Sequence, residues 1–406
     1  MAGKASLIVV IAFTALFMVI GQNFGTVSNR AVDNIIQYHN EAVAHNIALS
    51  GANIASNYIY LDNSWNEGIN DMPFHGGYLD VSVEIIDPYQ DLLEVTCTGT
   101  YEGVTNTIKV QFAPTKYSKF AYYSVYEGGS IWWTGTDTVW GPFHTQDYMR
   151  VYRHPVFYGK ATTKKKLIYY TNKSKDKPYF YGGFEQGVNL PLPVDGLNKI
   201  RLAAQDEGLY IGSKDTMYAT FDNDTLRYRF AYYDPDTAVY LPNAATNGVI
   251  FVDNAVVRLK GVVKGQYTIA CDGTSGDGKI FLDDDIVYSS DPRIDPSSTD
   301  LLGIVAKNEV IITDNANNHS DINIHGAIYA EEGGFGAENY GTRPPSGNIN
   351  LLGGIVQNIR RAVGTFNYSG ISSGFSKRYK YDERLLVASP PYYPGTGGYE
   401  IVSWLE

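Results

Sequence analysis

The stretch richest in reactive side chains is "LDDDIVYSSDPRIDPSSTD", which gathers Asp283, Asp284, Asp285, Asp291, Asp295 and Asp300 within residues 282–300. Clustered carboxylates on the flank of a β-structure can bind Ca2+ through about six to eight oxygens, and a carboxylate pair can cleave glycosides. Strand alternation sends Asp283 and Asp285 to one face and Asp284 to the other, so no single run supplies a full shell. Asp283, Asp285 and Asp291 are the candidate ligands of a structural Ca2+, against the plainer reading of a solvated acidic loop. A second set, "HSDINIH", puts His319, Asp321, Asn323 and His325 on one face of a strand. At about 3.3 Å per residue the two histidines stand roughly 20 Å apart, too far to share one ion. The row reads better as a polar ladder, with Asn323 and His325 able to meet side chains of a neighbouring strand.

Two further matches fail on chemistry. "GTSGDGKI" has Gly273, Gly278 and Lys279 spaced as in G-x-x-x-x-G-K-S/T, but Ile280 stands where the Mg2+-binding hydroxyl belongs, and a strand-like run follows where a helix is needed. "GISSG" formally offers Ser372 as a nucleophile, yet all seven histidines precede residue 326, whereas that motif requires the histidine after the serine. The aromatic clusters "FAYYSVYEGGSIWW" (120–133) and "RYRFAYYDPDTAVY" (227–240) suit a sugar-binding face, a subunit contact or core stacks, with core the plainer reading. No catalytic residue is expected. A glycoside hydrolase or polysaccharide lyase is the enzymatic alternative.

The elements that would position these residues follow from composition and periodicity. The chain has 406 residues, with 32 basic and 43 acidic side chains and a net charge of −11. That balance argues against nucleic acid as a partner. With 33 Tyr and 41 Gly and few helical stretches after residue 62, the body reads as mainly β. Cys97 and Cys271 form no metal-binding pair motif and read as small buried hydrophobes rather than as a bridge.

The N-terminal region is different. Ala5 to Gly21 carries no charge, and the next charge after Lys4 is Arg30. From Val32 the apolar positions Val32, Ile36, Val43, Ile47, Ile54 and Tyr58 recur near the helical period, and no proline occurs before Pro73. Residues 5 to about 60 are therefore expected to form one helix of roughly 80 Å, longer than a bilayer needs. Its first half (about 5–24) suits lipid, and its second half suits a soluble domain. Three alternating runs follow, Tyr78–Ile86, Leu92–Tyr101 and Thr105–Ala113, with turns at Asp87–Pro88 and Glu102–Gly103.

A two-part helix ending in "EAVAHNIALSGANIASNYIY" before a small meander resembles the type IV pilin and pseudopilin family, in particular its PilX-like minor members. The resemblance covers about the first 115 residues. It implies cleavage by a prepilin peptidase between Gly3 and Lys4, with Leu7, Ile8, Ile11, Phe13, Leu16, Phe17 and Ile20 serving as membrane and assembly surface. Ile8 stands where such proteins usually carry a glutamate.

Beyond Pro114, short β-runs open on glycines: Gly261, Gly303, Gly326 and Gly354, with Gly141 and Gly159 upstream. A unit of about 21–28 residues fits these spacings and suggests a solenoid, with an antiparallel sandwich as runner-up. The runs around 134–163 and 353–366 also resemble bacterial surface proteins with pilin-like N-termini.

The expected organisation is a long helix (1–62), a small antiparallel meander (63–115), a β-solenoid body (116–345) and a C-terminal cap (346–406). The resemblance implies an exported structural or adhesive subunit of the bacterial cell envelope. Its partners would be the inner membrane and other pilin-like subunits or copies of itself. Surface polysaccharide is the further candidate partner, and no cofactor is expected apart from the candidate Ca2+.

Overall fold

The structure is a computed structural model. It describes all residues except 1, 136, 193–195, 213–214, 275 and 368–369, and for residues 2–5 the backbone alone. The chain forms two compact units, one of residues 1–113 with 398–406 and one of residues 114–397.

In the first unit, helix α1 (Ala2–Leu61) precedes a five-stranded sheet whose first four strands pair antiparallel. The helix ends where Asp62 turns back to accept from the Ser64 amide at 2.9 Å, a local bond that competes with helix continuation. Strands β1 (Ile69–Phe74), β2 (Gly77–Asp87), β3 (Leu92–Tyr101) and β4 (Val104–Lys116) form a meander, in register Val81 opposite Cys97 and Cys97 opposite Ile108. The small residues late in the helix have a packing purpose. Ala44, Ala48, Ala52 and Ala55 recur every three or four positions and are buried with Ile47 and Ile59 against Leu79, Val95, Cys97 and Ile108. Gly99 completes the fit, since a Cβ there would lie 2.2 Å from the Ala44 carbonyl oxygen. Only small side chains on both elements allow this approach.

The fifth strand of this sheet, Gly395–Leu405, is the last of the chain and lies beside β4. The intervening residues of the second unit are thus an excursion between two neighbouring strands of the small sheet. A C-terminal cap of 346–406 is corrected accordingly. Residues 345–380 stack within the solenoid, and residues 398–406 belong to the small sheet. No local signal marks that return, because an edge strand needs only a partner ladder.

The second unit is a solenoid of parallel strands, not an antiparallel sandwich. One column of paired residues reads Ile250, Ile269, Ile304, Ile328, Ile355, Tyr122, Phe143, Ala161 and Phe184. Turns without excursions span 18 to 27 residues, as from Phe143 to Ala161 and from Ile328 to Ile355. The spatial order is not the chain order. The chain enters at Tyr122–Tyr126 in the middle and stacks outward to Phe184–Gln186. It then restarts at the opposite end with Leu209–Ile211 and returns to close Pro345–Ile359 and Gly370–Lys380 on its own first turn.

Tight corners use glycine. A Cβ on Gly159 would lie 2.0 Å from the Gly141 carbonyl oxygen, and one on Gly182 would lie 2.3 Å from the Gly159 carbonyl carbon. The glycine alignment needs two corrections. Gly303 stacks on Thr268 and Ala327, and Ala327 on Gly354, whereas Gly326 stacks on Gly353 one position away and Gly261 lies in another column between Phe221 and Ile286. The spacing alone did not distinguish the faces of a turn.

Where the two runs meet, the interior is charged. Arg360 donates to Glu127 at 2.6 Å, Lys377 to Asp137 at 2.9 Å, and the Trp133 indole to Glu127 at 3.2 Å. Tyr122 donates to Glu127 at 2.7 Å and receives Gln357 at 3.1 Å. The Arg360 guanidinium also lies 4.1 Å from the Trp133 ring centre, so both buried cations meet an anion and an aromatic face.

Candidate functional site

Two surfaces have the character of sites, one in each unit. The first is the N-terminal half of α1. Every residue from Ser6 to His39 is exposed, including Leu7, Ile8, Ile11, Phe13, Leu16, Phe17 and Ile20, and Ile8 and Phe17 are each 67 % exposed. The helix contains an 18-residue stretch of mean hydropathy 2.2. The uncharged run from Ala5 to Asn29 is about 37 Å long, enough for a hydrocarbon core of about 30 Å. The polar side chains within it include Thr14 and Thr26, which turn their hydroxyls onto the carbonyls of Val10 (2.8 Å) and Gln22 (2.9 Å). That arrangement leaves neither hydroxyl without a partner in an apolar solvent. Gly3 and Lys4, the expected cleavage residues, lie outside the residues whose side chains are described.

The second surface is a groove of about 1300 Å³ on one face of the solenoid. Its lining follows the stacking. Phe281 pairs with Ile311, Ile311 pairs with Gly336, and the Ala337 amide donates to Ala362 at 3.2 Å. Across the junction of the two runs, Trp133 pairs with Val151, and Val151 with Tyr169. The residues beside these pairs, Trp132, Tyr152 and Tyr170, therefore fall together. Tyr170 meets Trp132 edge-on at 5.0 Å and Tyr152 at 4.8 Å between ring centres. Charged groups stand along the groove. Arg153 lies 5.1 Å over the Tyr152 ring, and toward the other end Arg361 pairs with Glu309, which Lys279 reaches from beside the lining at 3.4 Å, while Glu338 accepts the Asp314 amide at 2.9 Å.

The acidic candidates separate. Asp283 receives Arg258 in a two-pronged pair (2.9 and 2.7 Å) and the Thr313 hydroxyl at 2.6 Å. Asp285 accepts both the backbone and side-chain amides of Asn323 at 2.8 Å. Asp291 pairs with Arg293, whose hydrogen bonds pull its carboxyl down to about 2. Among the described residues, no group of three or more His, Cys, Asp or Glu is arranged to hold a metal ion.

The four residues of the histidine row also divide. Asn323 stands between Asp285 and Asn350, which donates to it at 3.3 Å, and Asp321 accepts the Asn348 backbone amide at 2.8 Å. These are polar contacts from turn to turn. His319 bonds Asp314 at 2.8 Å, whereas His325 meets Tyr288 and Arg293. His325 is buried, accepts the Tyr288 amide at 3.1 Å, and is pushed down to about 4 by desolvation and by the nearby Arg293. Lys279 opens the strand Lys279–Tyr288, and Ser372 bonds Thr365 at 2.7 Å within a hairpin. Cys97 and Cys271 are free and buried, and burial raises both thiols above their usual range.

The first aromatic cluster splits by side of the wall. Tyr122, Tyr123 and Trp133 are fully buried, while Trp132 faces the groove. Tyr152 and Tyr170 were not among the expected site residues. The signal that finds them is their position directly after two paired strands, which is visible only once the register is known.

No family model matches the chain, and no curated protein matches it. Among solved structures, it is similar to the competence-associated pilin ComZ from Thermus thermophilus at 12 % identity, over 90 % of this chain and 97 % of that one, with a TM-score of 0.31. A score that low carries no argument, and function has to be read from the geometry of the two surfaces.

Proposed function

We propose that the protein is an exported, membrane-anchored subunit of pilin-like character, structural or adhesive rather than enzymatic, that presents its solenoid on the outside of a bacterial envelope. One observation carries this reading: a single 60-residue helix is wholly exposed and apolar in its first half and packed on its own sheet in its second. A helix needed only to complete the small domain would begin near Asn40, and lipid is the solvent that removes the apolar half from water. The same surface, withdrawn from lipid, supplies the apolar core of a helical assembly with other subunits or with copies of itself.

The insertion of the solenoid between adjacent strands fits display. Both of its chain ends connect to one small domain, so a large module is carried without interrupting the helix or its packing stripe. The test is the mass of the N-terminal peptide of the protein isolated from its native membrane. A first residue of Lys4, with a methylated amine, is the expected result and marks processing for assembly. Retention of Met1 or Ala2 overturns assembly and leaves a plain anchor.

A further inference from the structure

We propose that the solenoid groove binds an extended polysaccharide chain, with the rings of Trp132, Tyr152 and Tyr170 as its platform. This goes beyond the anchoring role and stands on different residues, so either reading can fail without the other.

Three features select the ligand class. The first is form. The groove is open and runs across successive turns, from Phe281, Ile311 and Ala337 in one run to Trp132, Tyr152 and Tyr170 in the other. Six steps of about 4.8 Å make a track of roughly 29 Å. Its volume exceeds the ~300–1,000 Å³ typical of a pocket for one small molecule. A polymer suits it better, and the turn spacing is close to the advance per ring of an extended glycan.

The second feature is chemistry. Aromatic faces offer apolar platforms for the C–H faces of sugar rings, and Tyr and Trp combine such a face with a polar edge. Tyr170 is 61 % exposed, a large aromatic surface that no other described part of the wall covers. The lining adds donors and acceptors of both signs, Arg153 beside the rings and Arg361, Glu309 and Glu338 farther along the groove. A ligand bearing many hydroxyls can use donors and acceptors alike.

The third feature excludes the other polymers. Nucleic acid requires concentrated cations, whereas Glu309 and Glu338 line the groove and the chain carries a net charge of −11. An extended peptide binds by adding a strand to a free edge. Along the floor, Lys279–Tyr288 and Val310–Ile312 are each paired on both sides and offer no ladder for that addition. Among the described residues the outer strand Leu167–Tyr169 pairs only with Met149–Val151, so the oligopeptide arm of the test below decides there.

The test uses the full chain in a zwitterionic detergent that contains no sugar. Soluble cello-, chito- and manno-oligosaccharides and a uronic-acid oligomer are titrated by calorimetry and tryptophan fluorescence. At least one is expected to bind in the micromolar to millimolar range. Tyr170→Ala, at a highly exposed position, and Trp132→Ala should each weaken that binding about tenfold, the scale of one aromatic anchor, at unchanged melting temperature. Tyr233→Ala, at an exposed ring outside the groove lining, should leave binding unaltered. If Trp132→Ala perturbs folding, Tyr170→Ala alone decides the matter. The proposal is overturned if no saccharide binds at millimolar concentration, if binding survives Tyr170→Ala undiminished, or if the groove instead takes up an oligopeptide or oligonucleotide.

Discussion

The two runs of the solenoid share one wall and differ inside it. In the run from Leu209 onward, the central column is five stacked isoleucines, Ile250, Ile269, Ile304, Ile328 and Ile355. At the junction the same column becomes Tyr122, Phe143, Ala161 and Phe184, and buried charges appear at Glu127, Asp137, Arg360 and Lys377. The difference follows from how each interface is found. Successive turns of one run are brought together by short connections, so apolar complementarity suffices to hold them. The junction joins residues more than 230 positions apart, as in the 233 between Glu127 and Arg360. A uniform apolar surface there would accept several registers. An ion pair that must be satisfied accepts one, and we read the buried charges as register-setting rather than as a large net source of stability.

The comparison can be broken most forcefully at Arg360. Arg360→Met leaves Glu127 buried without its cation, and a loss of about 3–5 kcal/mol is expected in urea unfolding. The double variant Glu127→Gln with Arg360→Met should recover much of that loss, yet give more than one compact species by native mass spectrometry or limited proteolysis. Full recovery with a single species would show that the charges do not set the register.

The isoleucine column tests the opposite regime. Ile304→Ala should cost about 2–5 kcal/mol, and Ile304→Val only about 0.5–1.5 kcal/mol, measured by the same unfolding curves. A graded response to volume is the mark of an interface held by packing alone.

Acid sharpens the contrast on a smaller scale. His144 in the first run and His325 in the second are both pushed from the ordinary 6.5 down to about 4, desolvation being the main cause. Each is buried neutral, so the unfolded chain takes up its proton first. Their contribution is fully present above about 6.5 and is lost as the pH falls toward about 4, by at most about 3 kcal/mol for each group. His144→Gln and His325→Gln should each flatten the stability curve in that window.

The smallest effect is expected on the outer polar contacts. Asn323→Ala removes one side-chain donor from Asp285 but keeps the backbone amide, and about 1 kcal/mol should be lost.

Much of the first unit was legible because its signals are local. The uncharged run, the helical period from Val32 and the three alternating runs require no knowledge of distant partners. Two of its strands were not, Ile69–Phe74 and Gly395–Leu405. The first contains Pro73 and a register shift, and the second is separated from its neighbour by the whole solenoid. In the second unit the glycine corners were readable and the parallel stack could be inferred. The order of stacking was not, because nothing in residues 120–140 points to residues 355–380.

The site residues follow the same division. Asp285 and Asn323 could be suspected from alternation along their strands, whereas their neighbour Asn350 was found only in the structure. The platform of Trp132, Tyr152 and Tyr170 depends on the register across the junction, which is set by buried partners rather than by spacing.

The central claim, that the free half of the long helix is a membrane anchor, is tested most directly by alkaline carbonate extraction of membranes from cells expressing the full chain and a chain beginning at Arg30. The account predicts that the full chain stays with the membrane pellet, while the shorter chain is soluble and keeps the same protease-resistant sheet and solenoid. Release of the full chain by carbonate would contradict it.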